Sequence, residues 1–278
     1  MNIITQKDLQ NFENALYLDE KAKSTIQKYL RAVQQLSNFL QGEELTKRKL
    51  LEIRDHLLHR QKTQTVNGAL SAIHAFLDFR GWKALRINLL KVQRQSFLAE
   101  DRELSQAEYR RLLMTAKQQR NERLYLLMMT LCGTGIRVGE LPFITVKSAS
   151  IGRADISLKG KKRVIILQKK LRDRLIQFAK KRGIKQGPIF CTQSGNPLDR
   201  SNICHEMKRL SQAADVDPRK VFPHNLRHLF ARTFFAVEKN LAHLADVLGH
   251  SRIETTRIYV AVSATAHERV LSRMHLIL

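Results

Sequence analysis

One short stretch breaks the helical rhythm of this chain. In "ADISLKGKKRVIILQ", residues 154–168, β-branched residues flank a turn built on "KGKK", which predicts a hairpin with basic residues at its tip. Nearly everywhere else the apolar residues recur every three or four positions. Ile26, Leu30, Val33, Leu36 and Leu40 form one stripe, with Ser24 or Thr25 as the expected N-cap. Leu50, Ile53 and Leu57 form a second behind Thr46, and Val66, Leu70, Ile73 and Leu77 a third that ends at Gly81. The expected fold is therefore mainly α with a small β-hairpin.

The 278 residues suffice for two cores at about 150 residues per domain. Residues 91–103, "KVQRQSFLAEDRE", lack a period and are dense in charge, so a linker is expected over 96–103, between a helical bundle in 1–95 and a second unit in 104–278. That unit opens on Ser105 and Glu108, spaced as a capping box. "RNERLYLLMMTLCGTG" then reads as a buried helix stopped by glycine, and residues 141–168 as a region of β texture. Helices resume at "KKLRDRLIQFAKKRG" and at "PHNLRHLFARTFFAV", where a proline stands early in the helix. Trp82 is expected to pack rather than to stack on a base.

Charge narrows the class of partner. The formal net charge is +24, divided as +5 over residues 1–103 and +19 over the rest, an imbalance suited to a polyanion such as nucleic acid. Three scattered cysteines, Cys132, Cys191 and Cys204, argue against a disulfide framework or a zinc ribbon. The N-terminus lacks the layout of a secretory signal. The longest apolar run, "LYLLMMTLC", falls short of the roughly 20 residues that span a membrane. A cytoplasmic protein of a prokaryote is expected.

Four stretches carry the polar chemistry. "TGIRVGEL" places Arg137 after a glycine break, with Glu140 three residues on to hold its guanidinium; "SLKGKK" sets Lys159 at the hairpin tip. "HNLRH" puts His224 and Arg227 at i, i+3 on one helix face, and "LADVLGHSRIETTRIYVAV" carries His250 and, nine residues later, Tyr259. Each has an ordinary reading by itself. Arg137 fits a surface ion pair, Gly249-His250 a helix C-cap with a cation beside the carbonyls, and Tyr259 a core position. His224 and His228 have zinc-ligand spacing, but no glutamate completes an H-E-x-x-H motif.

Taken in order, R-x-x-E, a hairpin K-G, H-x-x-R-H, then L-G-H-S and a tyrosine nine residues after its histidine, the set resembles the tyrosine recombinase (phage integrase) family. "GHSRIETTRIYV" is its most specific segment. The resemblance covers about 104–262 and extends more loosely over the N-terminal bundle. Without an arm-binding module, Xer-type or transposon-type members are the nearer comparison. The resemblance implies a core-type DNA-binding domain in 1–95 and a mixed α+β catalytic domain in 104–278, together closing as a basic clamp on specific double-stranded DNA sites. It implies Arg137 and Arg227 as the arginine pair, Lys159 as the hairpin lysine with Lys161 as the alternative, His224 and His250 as the two histidines, and Tyr259 as the nucleophile. It also implies a tetramer on two sites, with a C-terminal helix exchanged between subunits.

The chemistry asks for such a set without metal or cofactor. Attack on a phosphodiester adds negative charge to the non-bridging oxygens, which two guanidiniums can hold without deprotonating, with a further hydrogen bond expected from His250. A phenol of pKa about 10 is ionised to roughly one part in a thousand at neutral pH. It therefore needs a cationic pocket or a base such as His224, while a lysine can protonate the leaving 5′ oxygen. The expected activity is site-specific strand exchange through a 3′-phosphotyrosyl intermediate. A type IB topoisomerase and a non-cleaving regulator are the rival expectations.

Overall fold

A computed structural model describes residues 2–92, 102–158 and 161–257. The chain divides into two compact units, Met1–Arg94 and Gln95–Leu278.

Among its described residues the first unit contains four α-helices: α1 (Gln6–Leu18), α2 (Lys23–Leu40), α3 (Lys47–Arg60) and α4 (Thr63–Phe79). Thr5 and Asp8 form the capping box of α1, and the Thr46 hydroxyl accepts the Lys49 N–H to start α3. The stripes read from the sequence supply the core, where Val33, Leu36, Leu50, Ile53, Val66 and Leu70 are all buried. The expected cap of α2 is displaced. Ser24 and Thr25 lie inside the first turn, because α2 begins at Lys23 behind an extended Ala22. The reason is the tight exit from α1: Glu20 adopts φ 55° and the Lys21 N–H returns to the Leu16 carbonyl, so that Ala22, at φ −58° and ψ 139°, directly precedes the next helix. Trp82 packs on this core as expected, edge-on to Phe76, with the Arg80 guanidinium 4.6 Å from its ring centre.

In the second unit, α5 (Gln106–Gln118) and α6 (Glu122–Thr134) pack together, and α6 lies against α10 (Pro223–Glu238). Ser105 and Glu108 make the expected capping box. A 3-10 turn (Val138–Phe143) and α7 (Val146–Ile151) then lead into β1 (Arg153–Leu158) and β2 (Lys161–Ile166). This corrects the expectation of β texture from residue 141. Thr145 and Ser148 cap each other reciprocally, at 3.0 and 2.8 Å, and nucleate a short helix that Gly152 ends at φ 87°. The hairpin is antiparallel, from Arg153↔Ile166 to Leu158↔Lys161. Its inner face carries Ala154, Ile156, Arg163 and Ile165, whereas Val164 and Ile166 face solvent. Beyond it lie α8 (Lys169–Lys181), α9 (Arg200–Ala213), α11 (Leu241–Leu248) and α12 (Glu254–Arg257).

Candidate active site

Gly135 ends α6 in the left-handed conformation, φ 65°, and turns the chain into the 3-10 segment. Arg137 caps that segment. Its N–H donates to Glu140 Oε2 at 2.7 Å, and its Nη1 to Oε1 of the same carboxylate at 3.2 Å. Glu140 is buried, whereas the Arg137 side chain keeps 42% of its surface accessible. The R-x-x-E spacing thus produces an arginine whose root is fixed inside the fold and whose fork faces solvent.

Arg227 has the opposite surroundings. Pro223 opens α10, and the Asn225 amide donates to the carbonyls of Arg102 (2.9 Å) and Lys220 (2.7 Å), which fixes the first turn. One turn on, Arg227 is only 1% exposed. Its Nη1 donates to the Gly135 carbonyl at 2.5 Å, and its Nη2 to the Leu248 carbonyl at 2.8 Å and to His250 Nε2 at 2.9 Å. The negative ends of α6 and α11 therefore converge on one guanidinium, a favourable place for a buried cation. Gly249 caps α11 at φ 66°. The cations beside that helix end are Arg227 and Arg163; His250, the cation expected there, is neutral.

The protonation of His250 follows from its partners. A guanidinium only donates, so Nε2 must accept; the proton then lies on Nδ1 and is donated to Thr256 Oγ1 at 2.8 Å. Burial, reinforced by Arg227, Arg137, Arg163 and His224, pushes its pKa down to about 4. As placed, both ring nitrogens are engaged within the protein. The expected hydrogen bond from His250 to a phosphate therefore requires Nε2 to release Arg227 and also to gain a proton, through a change of tautomer or protonation of the ring. His224 stays accessible to solvent. Burial of its surroundings, then Arg227, Arg137 and Arg200, lower its pKa, which keeps the ring neutral and able to take a proton. His228 stands edge-on to His224, ring centres 4.8 Å apart, and its pKa falls to about 4 through burial and then the His224 and Arg227 neighbours. Among the described residues no group of three or more His, Cys, Asp or Glu side chains could hold a metal ion.

Arg137, Arg227, His224 and His250 are thus brought to one place from three separate segments. Lys159, Tyr259 and the expected C-terminal helix lie outside the described residues. Of the alternative, Lys161, only its position as the first residue of β2 is described.

Two participants were not singled out from the sequence. Thr256, fully buried, is the acceptor for His250, and the T-T pair before the tyrosine was its only trace. Arg163 bonds to Glu140 Oε2 at 2.5 Å and to the Val247 carbonyl at 2.8 Å. Its trace was a charge inside a β-branched run. Among the described residues, the guanidiniums of Arg137, Arg163 and Arg227 all act on the neutral His250 imidazole, with the Glu140 carboxylate bonded to two of them, which makes this region strongly attractive to an anion.

Comparisons with known proteins bear on the family and the fold. Residues 102–266 match the phage integrase family, and residues 9–78 match the N-terminal SAM-like domain of phage integrases. Tyrosine recombinase XerA of Thermococcus kodakarensis is 28% identical over 265 residues, covering 92% of this chain and 90% of that protein. Tyrosine recombinase XerD of Brucella suis is 33% identical over 164 residues, 55% of this chain and 52% of that protein. In fold, the chain resembles a lambda integrase tetramer bound to a Holliday junction, at TM-score 0.74 and 17% identity over 93% of this chain and 78% of that one. It also resembles XerH bound to a palindromic difH substrate, at TM-score 0.70 and 17% identity over 90% and 79% of the two chains. A match to the family over 102–266, more than half the chain, makes this protein a member of the phage integrase family of tyrosine recombinases.

Proposed function

We propose that this recombinase cuts and rejoins DNA at specific sites with Tyr259 as nucleophile. The phenolic oxygen attacks the scissile phosphorus and passes its proton to His224. The phosphorus–O5′ bond breaks as the 3′-phosphotyrosyl bond forms, and Lys159, or Lys161 in its stead, supplies the proton that the departing 5′ oxygen takes. Arg137 and Arg227 hold the non-bridging oxygens, and His250 joins them when DNA displaces its present contact and a proton is placed on Nε2. The covalent intermediate conserves the bond energy, so resealing by a second 5′-hydroxyl needs neither metal nor ATP. The observation that supports this reading is the gathering of Arg137, Arg227, His224 and His250 in one cationic pocket.

In this reading residues 1–95 are a core-type DNA-binding domain, 96–103 a linker and 104–278 the catalytic domain, both domains binding the same duplex. Four subunits work on two sites, each lending its C-terminal segment to a neighbour, in the cytoplasm of a prokaryotic cell. No described helix is long and apolar enough to cross a membrane.

A nicked duplex carrying a site that the protein binds specifically, incubated in EDTA, is the direct test. Wild type traps a covalent protein–DNA adduct and Tyr259→Phe does not. Absence of the adduct on DNA the protein demonstrably recognises overturns the assignment. Joining of two separate duplexes then distinguishes recombination from topoisomerase-like relaxation.

A further inference from the structure

Arg163 occupies a position that β-strand packing alone does not explain. Strand β2 turns Val164 (53% exposed) and Ile166 (69% exposed) to solvent while burying the Arg163 side chain to 10% exposure. A strand's faces alternate strictly, so a slip of one residue would send the charge outward and the two apolar side chains inward. Burying a guanidinium is costly unless it is paired, and the partners it meets lie in or next to the candidate active site. Its Nη2 bonds the buried Glu140 carboxylate, the same group that holds the backbone and fork of Arg137. Its Nη1 caps the Val247 carbonyl, three residues before His250. Its stem crosses the α carbon of Gly249 so closely that a Cβ there would stand 2.6 Å from Arg163 Cδ.

We infer that Arg163 is a positioning residue for strand cleavage, fixing through Glu140 the direction in which Arg137 presents its fork to the scissile phosphate. Without it, Glu140 keeps both oxygens available to Arg137 and can draw that fork back onto the 3-10 turn, away from solvent. The inference rests on the proposed role of Arg137. A simple structural brace between the hairpin and α11 is the competing account, and it predicts lost stability without any dependence on Arg137.

The test is single-turnover cleavage of the nicked duplex at saturating protein, corrected for the folded fraction from thermal unfolding. Arg163→Met is expected to slow cleavage about 100-fold, the scale of a displaced catalytic group, while DNA affinity changes less than about threefold. Arg163→Lys keeps the charge but not the two-pronged bond, and should fall between. In an Arg137→Lys background, which has no fork to aim, Arg163→Met should cost less than about threefold more. An undiminished 100-fold loss in that background, or unaltered cleavage by Arg163→Met, overturns the proposal. So does an Arg163→Lys protein that fails to fold, since Arg163 then belongs to the core. Wild-type cleavage by Arg137→Lys alone would instead remove Arg137 from the phosphate clamp.

Discussion

At the scale of single residues, the site separates two jobs that one residue type performs. Arg137 is anchored at its root and open at its fork, whereas Arg227 spends its donors on the Gly135 and Leu248 carbonyls and on His250. Arg227→Ala should therefore destabilise the fold as well as abolish cleavage. Stranding buried carbonyls costs on the order of 2–4 kcal/mol, measurable as a lower unfolding midpoint. Arg227→Lys should keep part of that stability but little cleavage. Thr256 offers a cleaner separation. Thr256→Val keeps the shape and removes the acceptor for His250 Nδ1, so cleavage should drop about tenfold, while Thr256→Ser stays near wild type; equal rates in the two variants would sever that link. Gly249→Ala places a Cβ in left-handed backbone against Arg163, and should cost at least about 1–2 kcal/mol. The positions of Arg137, His224, Arg227 and His250 were legible from motif order. The neutral state of His250 and the inward turn of Arg163 were not, since both depend on neighbours remote in sequence.

At the scale of elements, α6 and α11 act as paired electrostatic supports whose C-terminal carbonyls meet at the guanidinium delivered by α10. Their neighbourhood also sets a pH response. His228 and His250 have folded pKa values near 4, below the ordinary 6.5. The unfolded chain therefore binds more protons between these values, and stability must rise with pH through that window. Their contribution is fully present above about pH 6.5 and lost as pH falls toward 4. The unfolding midpoint should drop between pH 7 and pH 5, and drop less in His228→Gln; an identical pH slope would exclude His228 as a source. Periodicity identified the long amphipathic helices, because a stripe is written every three or four residues. It did not anticipate α7, whose six residues depend on the Thr145–Ser148 cap more than on any stripe.

At the scale of the whole molecule, charge governs association. A chain of net charge +24 that neutralises several phosphates must bind DNA with a steep salt dependence. For roughly 6–10 phosphate contacts, affinity should fall about 10³–10⁵-fold between about 50 and 200 mM salt. A shallow log–log slope in a titration would argue against extensive backbone contact. Each unit has its own core, so residues 1–94 expressed alone should unfold cooperatively; a non-cooperative melt would show that the bundle depends on the rest of the chain.

What the amino-acid order determined by itself was the class of fold, the strongly basic net charge and the motif order that picks out Arg137, His224, Arg227 and His250. Amphipathic period, net charge and motif spacing are local or additive properties that need no coordinates. What only the tertiary structure decided was which guanidinium faces solvent, which nitrogen of His250 carries the proton, and which side of β2 turns inward. Each of these depends on hydrogen-bond partners and desolvation contributed by segments tens of residues away: Gly135 and Leu248 for Arg227, Arg227 (beside the nearer Thr256) for His250, Glu140 and Val247 for Arg163. A pattern along one segment carries no record of them until the chain has closed on itself.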